Sequence, residues 1–265
     1  MAIDLVQIGN FTIHGYGLMI ALGFLAAITY ASFQAKKLGL NDDYVFNLAM
    51  FVLVFGWLGG KALYCIVEYK QFFADPMSVL GSEGFVVYGG IISGIITMFI
   101  YTKIKRVDTL SYIDIIAAAV PINQSLGRVG CFLAGCCYGR ETDSPIGVIF
   151  PSGCLAPAGV KLLPTQLFSA AFDLCLFIFL VIMINRKHKK GTIMATYLCG
   201  YAVGRFIIEI FRNDNRGQVG VLSTSQFISI IILALGVLMF VYLKRKPEPV
   251  NDCEQKDTDE KSVQE

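Results

Sequence analysis

Between residues 124 and 139 the sequence reads QSLGRVGCFLAGCCYG, and much of its reactive chemistry is gathered there. Arg128, Cys131, Cys136, Cys137 and Tyr138 stand among Gly127, Gly130, Gly135 and Gly139. A guanidinium is permanently charged and forks onto phosphate or carboxylate oxygens. Glycines at this density let backbone come close to a ligand or to another helix. The pattern points to a site for an anionic head group. A second constellation is Tyr201, Arg205, Glu209 and Arg212, separated by four, four and three residues and therefore on one helical face. Ionisable groups inside an apolar helix are expensive and face a cavity or a partner. Glu209 can balance Arg205 and Arg212, so part of this stripe reads as charge pairing. Tyr201 beside Arg205, at the deeper end, favours a functional role.

Weaker signals surround these two. Tyr88 precedes Gly89 and Gly90, and His14-Gly-Tyr-Gly17 opens an apolar run; small residues at such places also serve close helix packing. Lys61 follows Gly59 and Gly60 within an apolar stretch, where it can snorkel, pair with Glu68 or help to hold an anion. Cys131, Cys136 and Cys137, with Cys154 further on, read first as small buried residues, with a disulfide or redox thiols as the alternatives. Two cysteines in tandem with four residues between them and a third form no standard zinc pattern, and no histidine is near, so no metal site is expected.

The elements that must position these residues are membrane helices. The 265 residues are 55% hydrophobic and only 16% charged, against roughly 25% charged in a soluble domain. Spans of roughly 20 mostly apolar residues are expected at 16–33, 44–66, 85–101, 113–133, 167–184, 193–211 and 226–242, the fourth interrupted by Pro121, Asn123 and Gln124. Hydrocarbon forces backbone polar groups to pair within each span, so all seven are predicted to be helices. Basic clusters follow the first, third, fifth and seventh spans: Lys36 and Lys37; Lys103, Lys105 and Arg106; Arg186, Lys187, Lys189 and Lys190; Lys244, Arg245 and Lys246. The positive-inside rule then places the N-terminus outside and the C-terminus in the cytoplasm. The first ten residues have no basic leader, so a cleaved signal peptide is not expected. The expectation is an all-α, polytopic membrane protein with one embedded domain over 1–246 and a disordered acidic cytoplasmic tail over 247–265. No internal repeat, second soluble domain, cofactor or nucleic-acid partner is expected. On this topology the glycine- and cysteine-rich stretch ends the fourth helix on the extracytoplasmic side.

Taken in order over residues 10–230, the motifs resemble the prolipoprotein diacylglyceryl transferase family. They are Tyr-Gly-Leu-Met at 16–19, Gly-Gly-Lys at 59–61 where the family usually has arginine, and Tyr-Gly-Gly at 88–90. Gly-Arg-x-Gly-x-Phe follows at 127–132, closed by Gly139, then Pro-Thr-Gln-Leu-Phe at 164–168. Tyr-x3-Arg-Phe-x2-Glu-x2-Arg spans 201–212, and Leu-Ser-Thr-Ser-Gln lies at 222–226. The resemblance implies a bacterial plasma-membrane enzyme with its site facing outward. It would move the diacylglyceryl group of phosphatidylglycerol onto the cysteine thiol of a prolipoprotein signal peptide, making a thioether and releasing glycerol phosphate. It implies catalytic roles for Tyr201, Arg205 and Tyr88. Substrate binding falls to Arg128, Tyr16, Gly127, Gly130, Gly139, Lys61, Gln166 and Glu209, and the lipid bilayer is the setting. Where the family has histidine before Gly-Gly this chain has Tyr88. Cys131 stands at the family's asparagine, Ala134 at the next polar position, Cys136 at its glutamate and Leu163 at a second histidine. A tyrosine that titrates near pKa ~10 is a poor base for a thiol. A relative acting on another lipid or acceptor, a quinone-linked thiol oxidoreductase and a transporter therefore stay open as alternatives.

Overall fold

The computed structural model describes residues 4–8, 11–82, 84–213, 218–220 and 222–245. The expected tail from 247 on lies outside the described residues. The chain opens with an antiparallel pair, β1 (Asp4–Ile8) and β2 (Phe11–His14), and runs into α1 (Gly15–Lys37) and α2 (Asp42–Val67). Two short helices, α3 (Tyr69–Ala74) and α4 (Pro76–Gly81), lead to α5 (Val87–Lys105) and α6 (Thr109–Ala134). A loop holding the ribbon β3 (Val148–Ile149) and β4 (Lys161–Leu162) precedes α7 (Thr165–Ile184) and α8 (Thr192–Ile210). The ribbon β5 (Gln218–Val219) and β6 (Leu222–Ser223) leads into α9 (Thr224–Arg245).

The seven expected spans are present as α1, α2, α5, α6, α7, α8 and α9, each long and apolar enough to cross a membrane. The chain is a multi-pass membrane protein. The three small ribbons were not foreseen; pairs of two to five residues carry too little alternation to register in a sequence pattern. The fourth span runs unbroken through Pro121. Proline removes an intrahelical hydrogen bond, but α6 is the central helix, packed against α1, α7 and α8, and those contacts hold it.

Its first half shows why. Ile115, Ala117, Ala118 and Ala119 are buried, and the alanines bring α6 close to Ala31 and Ala35 of α1 and to Leu180, Ile184 and Ile193 of α7 and α8. At that end the Asp114 carboxylate caps α8, accepting from the backbone N–H of Gly191 at 2.6 Å and of Met194 at 2.9 Å, with His188 Nε2 at 3.8 Å. Lys190 pairs with Asp108 at 2.5 Å, and Gln34 donates to Asn185 at 3.3 Å. The loops joining α5 to α6 and α7 to α8 thus meet the end of α1. Asp114→Ala is expected to destabilise the protein by about 2 kcal/mol, since it orphans two buried N–H groups at a helix start. The thermal midpoint in detergent checks it.

The pair α2 and α5 lies at the side of this bundle, joined to it mainly through α1 and through Val45 of α2, which enters the core. The two pack mainly on each other, backbone to backbone where Gly56 and Gly59 of α2 meet Gly90 and Gly89 of α5, while Gly60 faces the Phe85 ring that precedes α5.

Candidate active site

At the end of the bundle opposite Asp114, three helices converge. The second half of α6 carries Arg128, the first half of α7 carries Ser169 and Asp173, and the second half of α8 carries Tyr201 and Arg205. These five side chains line one narrow cavity. Its free space is about 10 Å³, on the order of one water, so a phosphoryl group enters only as the side chains part. The two cation-bearing motifs read from the sequence, 124–139 and 201–212, are brought together.

Arg205 is fixed on one side. Its Nη2 lies 3.1 Å from Glu209 Oε2 and donates to Ser225 Oγ at 3.1 Å, while Glu209 Oε1 accepts from Ser223 Oγ at 3.2 Å. Arg212 Nε is 4.0 Å from the same Glu209 carboxylate. Glu209 is therefore the anchor of an arginine pair, 7% exposed, rather than a wall of the cavity. Arg205 Nη1 is buried and has no hydrogen-bond partner among the described residues. Arg128 makes no hydrogen bond or ion pair among the described residues; it lies within electrostatic range of Tyr201, Cys131 and Cys137. Two guanidinium groups with unused donors, sharing one cavity with the Tyr201 side chain, form a receptor for an oxyanion.

Asp173 went unread in the sequence. It is 4% exposed and interacts electrostatically with both Arg128 and Arg205. Its signal was available, since it is the one acidic residue in the apolar run of α7, and such a residue inside a span faces a cavity or a partner. Its carboxylate balances the two arginines when no anion is bound.

The other expected residues are placed as follows. Tyr16 lies on the first turn of α1, within electrostatic range of Arg128 and of all three motif cysteines. Gly130 faces it across the α1–α6 contact, where a Cβ would stand 3.2 Å from Tyr16 Cδ2 and 3.2 Å from Met19 Cβ. It serves helix packing more than pocket shape. Gly139 meets Leu163 and Thr165 just as closely, its N–H bonded to Leu163 O at 2.9 Å. Gly127 has nothing within 4 Å of its Cβ position and leaves open space beside Arg128. Gln166 holds the loop, its Nε2 donating to Cys136 O at 2.7 Å. Lys61 is not brought to this cluster by any contact. Its ammonium donates to Ser82 O at 2.6 Å and Gly84 O at 3.3 Å and sits over the Tyr64 ring, in place of the suggested pairing with Glu68. Tyr88, on the first turn of α5, is 48% exposed and makes no hydrogen bond among the described residues.

The cysteines end α6. Gly135 takes the left-handed conformation at φ 71°, its N–H bonds Phe132 O at 3.2 Å, and the N–H of Cys136 bonds Cys131 O at 3.1 Å. This pair of bonds is the Schellman arrangement, and it folds residue 136 back over residue 131. Cys137 follows with φ 63°. The Sγ atoms of Cys131, Cys136 and Cys137 all lie within 4.8 Å of one another. The described cysteines form no disulfide. Cys154 packs beneath Gly135, 2.7 Å from its Cβ position. A side chain in the left-handed region costs roughly 1–2 kcal/mol, so Cys137→Gly is expected to stabilise the reduced protein in chelator-containing buffer by about 1 kcal/mol. Equilibrium unfolding in a mild detergent would show it.

Comparison with known proteins comes to the same place as the motifs. The model of the family described as prolipoprotein diacylglyceryl transferase matches residues 4–242. A phosphatidylglycerol–prolipoprotein diacylglyceryl transferase of Clostridium tetani is 44% identical over 238 residues, covering 89% of this chain and 95% of its own. The enzyme numbered 2 of Clostridium perfringens is 44% identical over 248 residues, covering 93% and 97%. One from Dehalococcoides mccartyi is 31% identical over 242 residues, covering 91% and 93%.

Proposed function

Since the chain belongs to the prolipoprotein diacylglyceryl transferase family, we propose that it transfers the diacylglyceryl group of phosphatidylglycerol to the lipobox cysteine of prolipoproteins. The observation that carries the reading is the convergence of Arg128 and Arg205 on one cavity beside Tyr201, with donors unused. In this transfer an acceptor thiolate attacks the glyceryl carbon, the carbon–oxygen bond breaks and the electron pair leaves on the phosphate. The charge that develops is on the phosphate oxygens. Donors fixed there before the reaction stabilise the transition state more than the diester, because the leaving group carries one more negative charge. Tyr201 adds a neutral donor, and Glu209 with Ser225 holds Arg205 in place. Tyr16 of α1 stands within electrostatic range of Arg128, and the carboxylate of Asp173 is displaced from the arginines by the incoming phosphate.

The setting follows from charge. The described residues of the basic clusters lie at the end of the bundle away from the cavity, which supports a plasma-membrane protein with the cavity at the extracytoplasmic face. Both substrates are then reached from the bilayer, without passage through water.

The test is a transfer assay with the full-length chain in phosphatidylglycerol vesicles and a synthetic lipobox peptide. A peptide mass increased by one diacylglyceryl group, with equimolar glycerol phosphate, is expected. Transfer from another phospholipid but not from phosphatidylglycerol, by a properly inserted protein, would replace this reading by that of a relative with a different donor.

A further inference from the structure

The cavity supplies two cations, one phenol and a carboxylate, Asp173, that is engaged with the arginines, yet the acceptor must arrive as a thiolate, and a free thiol titrates near pKa ~8.5. Neither of the chain's two histidines lines the cavity. His188 is at the opposite end beside Asp114, and His14 is exposed ahead of α1. We propose that Cys131, Cys136 and Cys137 form a zinc site whose open fourth position takes the acceptor's cysteine. Its catalytic role rests on the transferase reading; the binding of zinc does not.

Distance is the first argument. Zinc–sulfur bonds of about 2.3 Å in a tetrahedron set sulfurs about 3.8 Å apart. The three Sγ atoms lie within 4.8 Å of one another and are not bonded in pairs. Construction is the second. The reversal after α6 sets Cys136 over Cys131, and Cys137 holds a backbone conformation that a glycine would adopt without cost. Thr165 Oγ1 donates to Cys137 O at 2.8 Å and Gln166 Nε2 to Cys136 O at 2.7 Å, so two residues from α7 pin the strained turn. Charge is the third. Three thiolates around Zn²⁺ carry a net single negative charge, and Arg128 is within electrostatic range of Cys131 and Cys137.

Three protein ligands with one open position is the arrangement of catalytic zinc; a structural site is closed by a fourth. A thiol that coordinates zinc is deprotonated outright. The acceptor thiol would displace a zinc-bound water and release its proton to solvent. Its sulfur then forms the bond to the glyceryl carbon as the carbon–oxygen bond breaks, and the electron pair leaves on glycerol phosphate. The neutral thioether is a weak ligand and gives way to water. Cysteines at the positions where the family has asparagine and glutamate thus provide the activation that its missing histidines do not.

The test uses the full-length chain, purified in detergent with reductant, supplied with zinc and freed of excess. About one zinc per chain is expected for wild type, for Cys175→Ser and for Cys154→Ser, and almost none for the triple variant Cys131→Ser/Cys136→Ser/Cys137→Ser. Cobalt in place of zinc is expected to give sulfur-to-metal charge-transfer bands. A lipobox peptide should shift its visible bands, and the same peptide with serine for cysteine should not. Stripping the metal is expected to lower transfer at least tenfold, with zinc restoring it. Metal content no higher in wild type than in the triple variant would overturn the proposal. So would a disulfide among the three cysteines in the purified native protein, or loss of metal in Cys154→Ser, which would mean a closed four-sulfur site. Zinc binding with a peptide-dependent cobalt spectrum but no transfer from phosphatidylglycerol would support the site and overturn the donor assignment alone.

Discussion

Arg128→Gln is expected to lower the rate of diacylglyceryl transfer by about 10²–10³-fold while the protein inserts and folds as before. The separation of the two effects follows from what Arg128 touches. It has no hydrogen bond or ion pair among the described residues, so its removal leaves no hydrogen-bonding group newly unpaired, and Asp173 keeps Arg205 as a counter-charge. It lines the cavity with Tyr201 and Arg205, where the departing phosphate gathers charge. Arg128→Lys keeps the charge and loses the two-pronged geometry, and should fall between wild type and glutamine. The check is kcat and KM with phosphatidylglycerol in mixed micelles, beside the thermal midpoint of each variant. A loss carried mainly by kcat identifies an interaction made in the transition state; a rise in KM alone would reduce Arg128 to a binding residue.

Glu209→Ala is expected to fail in the opposite manner, through the fold. Glu209 is 7% exposed, within 3.1 Å of Arg205 Nη2 and 4.0 Å of Arg212 Nε, and accepts from Ser223. Removing one partner from a buried ion pair leaves a charge without its counterion and costs about 3–5 kcal/mol. A markedly lowered thermal midpoint and poor recovery from the membrane should accompany the loss of activity. Glu209→Gln retains an acceptor for Ser223 and should recover part of the stability but little of the rate, because Arg205 is then held only by Ser225. If Glu209→Ala melted like wild type, the carboxylate would have to be assigned to the substrate rather than to the arginines.

Much of this architecture is readable in the chain, and the parts that are not share a cause. Apolar runs of span length announced seven helices, and spacings of four, four and three announced the face that carries Tyr201, Arg205 and Glu209. Both are properties of residues close in sequence. That Arg128 meets Arg205 depends on α6 and α8 lying against one another, which the ordered motifs implied only through the family they resemble. Asp173 could have been found, since an acid within so apolar a helix has few reasons to be there. The cysteine cluster is harder to see. A five-residue interval matches no helical face, and the sulfurs meet only because Gly135 reverses the chain between them; glycine at a helix end was the clue. Lys61 was harder to place from sequence, because the loop carbonyls of Ser82 and Gly84 to which its ammonium donates lie more than twenty residues away in the chain.

Because α2 and α5 pack mainly on each other, the protein is expected to open in two units rather than as one block. Val45 and the contact with α1 tie α2 to the core while α5 barely touches α6, and local opening is cheapest where few buried contacts cross. Amide exchange should therefore distinguish two units, with the α2–α5 pair losing protection at lower denaturant than the bundle of α1 and α6–α9. A melting midpoint for the Asp114 or Glu209 variants then reports the bundle of α1 and α6–α9, and says little about the α2–α5 pair.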